Sequence, residues 1–164
     1  MDIEVSVSPI IKEWIVATYG SDVIKCEQDD FLSNKIKYLL DTTPENYKPA
    51  HISDENRITI ILSNFGIGSA TKQTIKRINE NYRFYLSDKK QGILERVFNR
   101  QLKDCFHCFV LGYVASTNNH IGSQKEGIES FCNVFGLTLN KINYEMLKKS
   151  WDRSTYKQKI INKN

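Results

Sequence analysis

The first pattern in this sequence that could do chemistry is a pair of cysteines with a histidine between them. Cys105 and Cys108 stand in the C-x-x-C arrangement, and His107 lies inside it. A structural zinc site normally needs a second pair of ligands at matching spacing, and only His120 and Cys132 remain as further candidates. A redox-active pair should open a helix after a strand, whereas this one falls inside a helical pattern. We therefore expect reduced thiols in an apolar stripe and no bound metal.

The second pattern is a strand followed by a glycine-rich loop and a lysine. Residues 57–64 (RITIILSN) are rich in β-branched side chains, and Gly66 and Gly68 follow them. A phosphate-binding loop places its last glycine directly before the lysine, so that backbone N–H groups and the ammonium converge on one phosphate. Here Lys72 comes four residues after Gly68, and a glutamine follows it. The pattern instead favours a β-hairpin, with a second strand over residues 71–78.

Residues typical of hydrolytic enzymes are present but do not form a recognisable constellation. The three histidines, His51, His107 and His120, are scattered, and none stands in a triad pattern. The sequence shows neither a nucleophile elbow nor paired carboxylates at a useful spacing. We therefore predict that the protein is not an enzyme and that it needs no cofactor.

Composition indicates a water-exposed globular chain. The 164 residues include 40% apolar and 26% charged side chains, which are ordinary values for such a chain. The longest apolar runs are only a few residues, too short for a helix that spans a bilayer. The first ten residues lack the basic and apolar regions of a signal peptide. We expect a cytoplasmic protein that makes no membrane contact.

Charge is distributed unevenly along the chain. Residues 1–56 contain eleven acidic and five basic side chains, whereas residues 141–164 contain two acidic and seven basic ones. Between them, residues 57–140 carry six acidic and eleven basic side chains. This asymmetry suggests one surface for a protein partner, on the acidic N-terminal half, and another for a polyanion. Solvated lysines on helix faces are the alternative explanation of the basic half.

Hydrophobic periodicity predicts an α+β fold that is mostly helical. Alternation of Ile3, Val5 and Val7 with polar residues predicts a strand, and a helix follows between Ser8-Pro9 and Gly20. A second helix is expected near residues 31–40, and a long one from Ser87 or Asp88 to about Ser116. Apolar side chains form one stripe of the long helix, and a basic stripe contains Arg96, Arg100, Lys103 and His107.

These elements suggest four segments, which could together form one compact domain. We expect an acidic strand-helix-helix segment (1–56), a β-hairpin with the long helix as the core (57–117), a C-terminal helix pair (125–157) and a basic tail (158–164).

The helix pair resembles the helix-turn-helix family of DNA-binding proteins over residues 127–153, GIESFCNVFGLTLNKINYEMLKKSWDR. That pattern has a small residue four before a turn glycine, and here Cys132 precedes Gly136. Phe135 and Leu137 flank the glycine, and Ile142 supplies the β-branched residue expected six positions after it. We expect Ile142, Met146 and Leu147 to face inward on the second helix, with Trp151 as a further candidate. An apolar residue is expected nine positions after the glycine, where this chain has Glu145. The Asn- and Lys-rich style is also similar to that of small proteins from phages and mobile elements.

The resemblance implies that the second helix of the pair is a recognition helix for double-stranded DNA. Its candidate base-edge residues would be Thr138, Asn140, Asn143 and Tyr144, because an asparagine can form paired hydrogen bonds with adenine. Basic residues would contact phosphates and set the register, and the candidates are Lys141, Lys148, Lys149, Arg153 and Lys157.

Two functional hypotheses follow. The first is a small DNA-binding protein, a regulator or accessory protein of a phage or mobile element, that acts through its C-terminal helices and forms a homodimer if its site is a palindrome. The alternative is a non-enzymatic adaptor or assembly protein that does not contact DNA.

Overall fold

The structure of the protein is a computed structural model that describes residues 2–27, 31–42, 52–62, 84–118 and 120–154. Within these residues, three strands form the larger sheet: β1 (Asp2–Ser6), β2 (Val23–Cys26) and β4 (Arg57–Leu62). β4 lies in the centre, antiparallel to β1 and parallel to β2. Two short strands, β3 (Asp41–Thr42) and β5 (Phe84–Tyr85), pair separately in antiparallel fashion.

Five helices complete the described part of the chain. They are α1 (Pro9–Tyr19), α2 (Phe31–Leu39), α3 (Asp88–Ser116), α4 (Ser123–Val134) and α5 (Lys141–Asp152), and a 3₁₀ turn (Asp54–Asn56) precedes β4. The α+β, mostly helical class predicted from the sequence is confirmed. None of these helices is long and apolar enough to cross a membrane.

The sheet has one buried face because its strands alternate apolar and polar residues. Ile3 and Val5 of β1 point into the core, while Asp2 and Glu4 are exposed, as the alternation predicts. β4 buries its own β-branched residues in the same way. The buried face of the sheet therefore provides one wall of the core.

The N-terminal segment departs from the predicted strand-helix-helix order, which was wrong in omitting β2. β2 lies between α1 and α2 and contains only four residues, one of them the exposed Lys25. Such a short segment has a weak period-two pattern, and it is a strand because Ile24 and Cys26 pair in parallel with β4. The predicted hairpin partner at 71–78 lies outside the described residues.

The first helix begins and ends where its sequence indicates. Pro9 is the first helical residue after Ser8, whose carbonyl accepts hydrogen bonds from the N–H groups of Ile11 and Lys12. Gly20 ends the helix with φ of 73°, a conformation that costs glycine little. The Ser8 hydroxyl makes no capping bond with α1. The backbone N–H of Ser8 donates to Oε1 of Glu95, 3.1 Å away, and so connects the start of α1 to α3.

The long helix α3 lies at the centre of the molecule. It contacts β1, α1, α4 and α5. Its fully buried side chains recur every four residues, which places them in one row along the helix: Leu94, Phe98, Leu102, Phe106, Val110 and Val114. The same core continues into α4 and α5 through Phe131, Leu147 and Trp151. The C-terminal helix pair therefore shares its core with the sheet.

Replacement of Phe131 by alanine is expected to lower the free energy of unfolding by about 3–5 kcal/mol. The ring is fully buried and lies 5.2 Å from Phe106 and 4.7 Å from Phe135, centroid to centroid. Val134→Ala on the same helix is the control, because Val134 is 64% exposed and should change the free energy by less than about 0.5 kcal/mol. Urea titration of both variants measures the difference, and equal losses would show that Phe131 is not a core residue.

Candidate nucleic-acid interface

The turn between α4 and α5 begins with the glycine that the sequence indicates. Gly136 has φ of 58° and stands just after the end of α4. Its N–H donates to the carbonyl of Asn133, at 3.3 Å, and the N–H of Leu137 donates to the carbonyl of Cys132, at 2.8 Å. These two bonds close the helix end in a Schellman motif, and the buried Leu137 supplies its apolar contact.

The second helix packs in a different rotation from the one that the resemblance implies. Residues 135–140 connect the helices, a longer link than the 3–4-residue turn of helix-turn-helix proteins. Leu147 and Trp151 are the buried residues of α5. Ile142 lies about 140° around the helix from Leu147 and about 180° from Trp151, since each residue advances by about 100°. The predicted inward position of Ile142 is therefore wrong, and its side chain is 80% exposed.

A carboxylate from the first helix holds the connection in place. Oε2 of Glu13 accepts a hydrogen bond from the N–H of Thr138 at 2.8 Å, and Oε1 accepts one from its hydroxyl at 2.7 Å. Charge-assisted hydrogen bonds of this length are about twice as strong as neutral ones. The pair, which we call the Glu13–Thr138 clamp, attaches the start of the candidate recognition helix to α1.

The other predicted base-edge residues also have structural partners. Asn140 is the N-cap of α5, and its Oδ1 accepts from the N–H of Asn143 at 2.8 Å. The Nδ2 of Asn143 donates to the carbonyl of Thr138 at 2.8 Å. Tyr144 is partly buried against the core. All four candidates thus already stabilise the connection or pack on the core, and their role in reading bases stays a prediction.

Four of the residues predicted to contact phosphates lie on the surface of the protein. Lys141, Lys148, Lys149 and Arg153 are all exposed. Their side chains have no ion-pair partner within the part of the chain that the structure describes. At about 100° per residue, all four fall within one arc of about 140° around α5, which begins with Lys148, about 60° from Trp151, and ends with Arg153. Ile142, Glu145 and Asp152 lie in the same arc. We call this arc the outer face of α5; Lys157 lies outside the described residues.

Basic residues of α3 are less available than those of α5. Nε of Arg96 donates to the carbonyl of Gly92 at 3.0 Å, and Nε of Arg100 lies 4.0 Å from Oδ2 of Asp104. Both arginines are exposed, so these local contacts are weak. Of the predicted basic stripe on α3, Arg96 and Arg100 are therefore exposed, whereas Lys103 is partly buried and Asp104 lies beside Arg100.

His107 connects α3 to α5, a contact that spacing in the sequence did not reveal. Its Nε2 lies 3.0 Å from Oγ of Ser150, and its ring lies 6.3 Å from that of Trp151. Burial lowers the pKa of His107 below its ordinary value, against the opposing effects of the Ser150 hydrogen bond and of Asp104. The imidazole is thus mainly neutral at pH 7 and adds no cation to the basic surface.

Cys26 and Cys132 are buried, and Cys105 is partly buried. Burial raises the pKa of Cys105, and it raises the pKa of Cys132 to about 11, with further contributions from Glu13 and Glu129. Cys108 is exposed. Among the residues described, no three His, Cys, Asp or Glu side chains are grouped so that they could hold a metal ion.

A double-mutant cycle is expected to show that the Glu13–Thr138 clamp stabilises the fold. Thr138→Val should lower the free energy of unfolding by about 1 kcal/mol, and Glu13→Ala by about 2 kcal/mol because it removes both hydrogen bonds. The two losses should be non-additive by about 1 kcal/mol. Glu55→Ala is the control, since the Glu55 carboxylate is exposed and has no partner among the described residues. Strict additivity would contradict the clamp.

Stability is expected to fall below pH 6.5 in a manner that depends on His107. Because its folded-state pKa is lowered, the unfolded chain takes up a proton first, and the folded state loses stability as pH falls from about 6.5 to the folded pKa. Above pH 6.5 the contribution is constant. His107→Gln keeps a hydrogen-bonding group for Ser150 but cannot titrate, so urea titrations from pH 7.5 to 5.5 should show a shallower fall. Identical falls in the two proteins would mean that the pKa of His107 is not lowered.

Comparison of the chain with protein-family models, with curated proteins and with solved structures found no match. Two features of α5 and its neighbours bear most on function. They are the basic residues on its outer face, which have no ion-pair partner in the described ranges, and the internal hydrogen bonds of the connection before the helix.

Proposed function

We propose that the protein binds double-stranded DNA through the outer face of α5, chiefly by contacts with phosphates. The observation that carries this proposal is the set of four exposed basic side chains that have no ion-pair partner among the residues the structure describes, Lys141, Lys148, Lys149 and Arg153. Unneutralised cations on one helix face gain more from a polyanion than cations that already have a carboxylate partner.

Basic residues elsewhere provide the contrast. Lys12 lies 3.8 Å from Asp22, Arg57 lies 3.5 Å from Glu4, and Lys90 pairs with Asp41. These cations are committed to contacts within the N-terminal half and across to α3. Other exposed lysines, such as Lys25 and Lys89, also have no ion-pair partner among the described residues, but α5 brings four such cations together on one face, and this supports a polyanion partner for that face.

Phosphate contact is favoured over base reading by the hydrogen bonds before α5. Thr138, Asn140 and Asn143 would have to leave their present partners in order to reach base edges. A helix N-terminus ordinarily attracts a phosphate, but the Glu13 carboxylate lies close to this one. Binding is then expected to depend on the outward and C-terminal parts of α5, with little sequence preference.

A salt series with a labelled random duplex tests this proposal. Four cationic contacts predict a slope of about −3.6 for log K against log salt, which corresponds to a loss of affinity of about 100-fold between 50 and 200 mM. Lys148→Glu combined with Lys149→Glu should weaken binding at least about tenfold and make the slope shallower by about 2. Fluorescence anisotropy measures both quantities.

The matched control is Lys25→Glu combined with Lys89→Glu. Both lysines are exposed and lie away from α5, and the double change alters the net charge by the same amount. If the control weakens binding as much as the α5 variant does, the effect is one of net charge and the proposed surface is wrong. Absence of binding at 50 mM would also contradict the proposal.

The alternative is an adaptor or assembly protein, and one exposed side chain of α5 favours it. Ile142 is exposed on the outer face, where a protein partner would bury it more readily than DNA would. Both readings describe a binding protein, and a role as regulator or accessory protein of a phage or mobile element, with or without a homodimer, stays a prediction of the sequence.

A further inference from the structure

An open groove runs between α1 and the turn that follows α4, on a different surface from the outer face of α5. Its volume is about 600 Å³, within the range of about 300–1,000 Å³ typical of ligand pockets. Most of its lining is on α1, and the rest comes from the 3₁₀ turn and the α4–α5 turn; the lining residues are Pro9, Lys12, Glu13, Val16, Ala17, Glu55, Phe135 and Gly136.

The shape of the groove suits an extended or helical segment. Pro9, Lys12, Glu13, Val16 and Ala17 recur at intervals of three or four, so they form one face of α1 over about 12 Å. Helix-binding grooves receive apolar side chains at the same intervals from the partner. A groove of this length fits about two turns of a bound helix.

The floor of the groove is apolar and partly uncovered. Val16 and Ala17 are exposed, and Phe135 faces them from the α4–α5 turn with its side chain only half-buried. Val134 and Leu139, which lie next to the groove-lining turn and the clamp, are 64% and 44% exposed. Exposed apolar side chains clustered beside a groove are typical of an interaction site.

The rim of the groove is negatively charged. The Lys12 ammonium donates to the Asp54 carbonyl and lies 3.8 Å from Asp22, so its charge is already offset. The Glu55 carboxylate has no partner within the described residues. Glu13 accepts two hydrogen bonds in the clamp, but an ionised carboxylate has about four acceptor positions. Two carboxylates are thus available to a cation, and phosphates are disfavoured.

We propose that this groove binds a short amphipathic helical segment of a partner protein, with leucine-like anchors on the floor and a lysine or arginine at the Glu13 and Glu55 carboxylates. The proposal goes beyond DNA binding and does not rest on it. The clamp gives the groove a direct connection to the second surface, because Glu13 both lines the groove and holds the start of α5.

The test uses the full chain and two labelled peptides of 14 residues. The first peptide has leucines and lysines at helical spacing, and the second has glutamate in place of every lysine. Fluorescence anisotropy should show that the lysine peptide binds at least about tenfold more tightly, a difference of about 1.4 kcal/mol. No binding of the lysine peptide, or equal binding of both peptides, would overturn the proposal.

Two variants locate the site. Ala17→Trp fills the floor of the groove and should weaken binding of the lysine peptide at least about tenfold. Glu55→Lys reverses the rim charge and should weaken it about threefold, as expected for a partly exposed ion pair. Their controls are Ala115→Trp, at an exposed alanine of α3, and Glu27→Lys, at an exposed glutamate that does not line the groove. Both controls should bind within about twofold of wild type.

Circular dichroism establishes that each variant is folded before it is compared. A folded Ala17→Trp variant that binds as tightly as wild type would overturn the assignment of the groove. The same variant should bind duplex DNA as wild type does, because Ala17 lies away from the outer face of α5. An Ala17→Trp variant that loses peptide binding but keeps DNA binding would therefore support the groove as the peptide site. If the wild-type protein does not bind DNA, the peptide result is unaffected.

Discussion

Burial of one row of side chains on α3 is the constraint on which the rest of this structure depends. The row recurs every four residues from Leu94 to Val114, along a helix of 29 residues, about 43 Å long. Different elements cover different parts of this helix, with β1 and α1 from the N-terminal half and α4 and α5 from the C-terminal part of the chain. Removal of this apolar surface from water is the largest favourable term available to a chain of this composition.

Two sets of contacts determine the orientation of α5. Leu147 and Trp151 are drawn into the common core, and the Glu13–Thr138 clamp sets the position at which the helix begins. Together they turn the lysines outward and place Ile142 in solvent. The set of side chains on the outer face of α5 is therefore a consequence of packing on the opposite side of the helix. A change in the core that rotated α5 would change which side chains this face presents.

Two surfaces of opposite character meet at the α4–α5 connection. The outer face of α5 presents cations with no ion-pair partner in the described part of the chain, whereas the groove beside α1 has an apolar floor and a carboxylate rim. Glu13 belongs to both regions, since it lines the groove and bonds to the residue that leads into α5. A ligand that competes for the Glu13 carboxylate would weaken the clamp. The groove and the outer face of α5 can influence each other only by the amount that such a ligand changes the free energy of the clamp.

Local signals in the sequence determined the elements whose causes lie within a few residues. The alternation in β1, the proline and glycine that bound α1, the presence of an apolar stripe on α3 and the left-handed Gly136 are all of this kind, because backbone conformation and one-sided burial depend on residues only a few positions apart. The class of the fold followed from them. Lys141, Lys148, Lys149 and Arg153 are exposed, and their role as phosphate contacts stays a prediction.

Only the tertiary structure decided the features that depend on residues distant in sequence. β2 is a strand because it pairs with β4, more than thirty residues away, and Thr138 is bonded by Glu13 across 125 residues. Ile142 faces solvent because Leu147 and Trp151, on the other side of α5, are buried in the core. A motif of fixed spacing does not take into account which residues of the helix pack best against the rest of the protein. Short-range patterns specify which elements form, and the burial of apolar surface shared among all of them decides which face of each element remains available for binding.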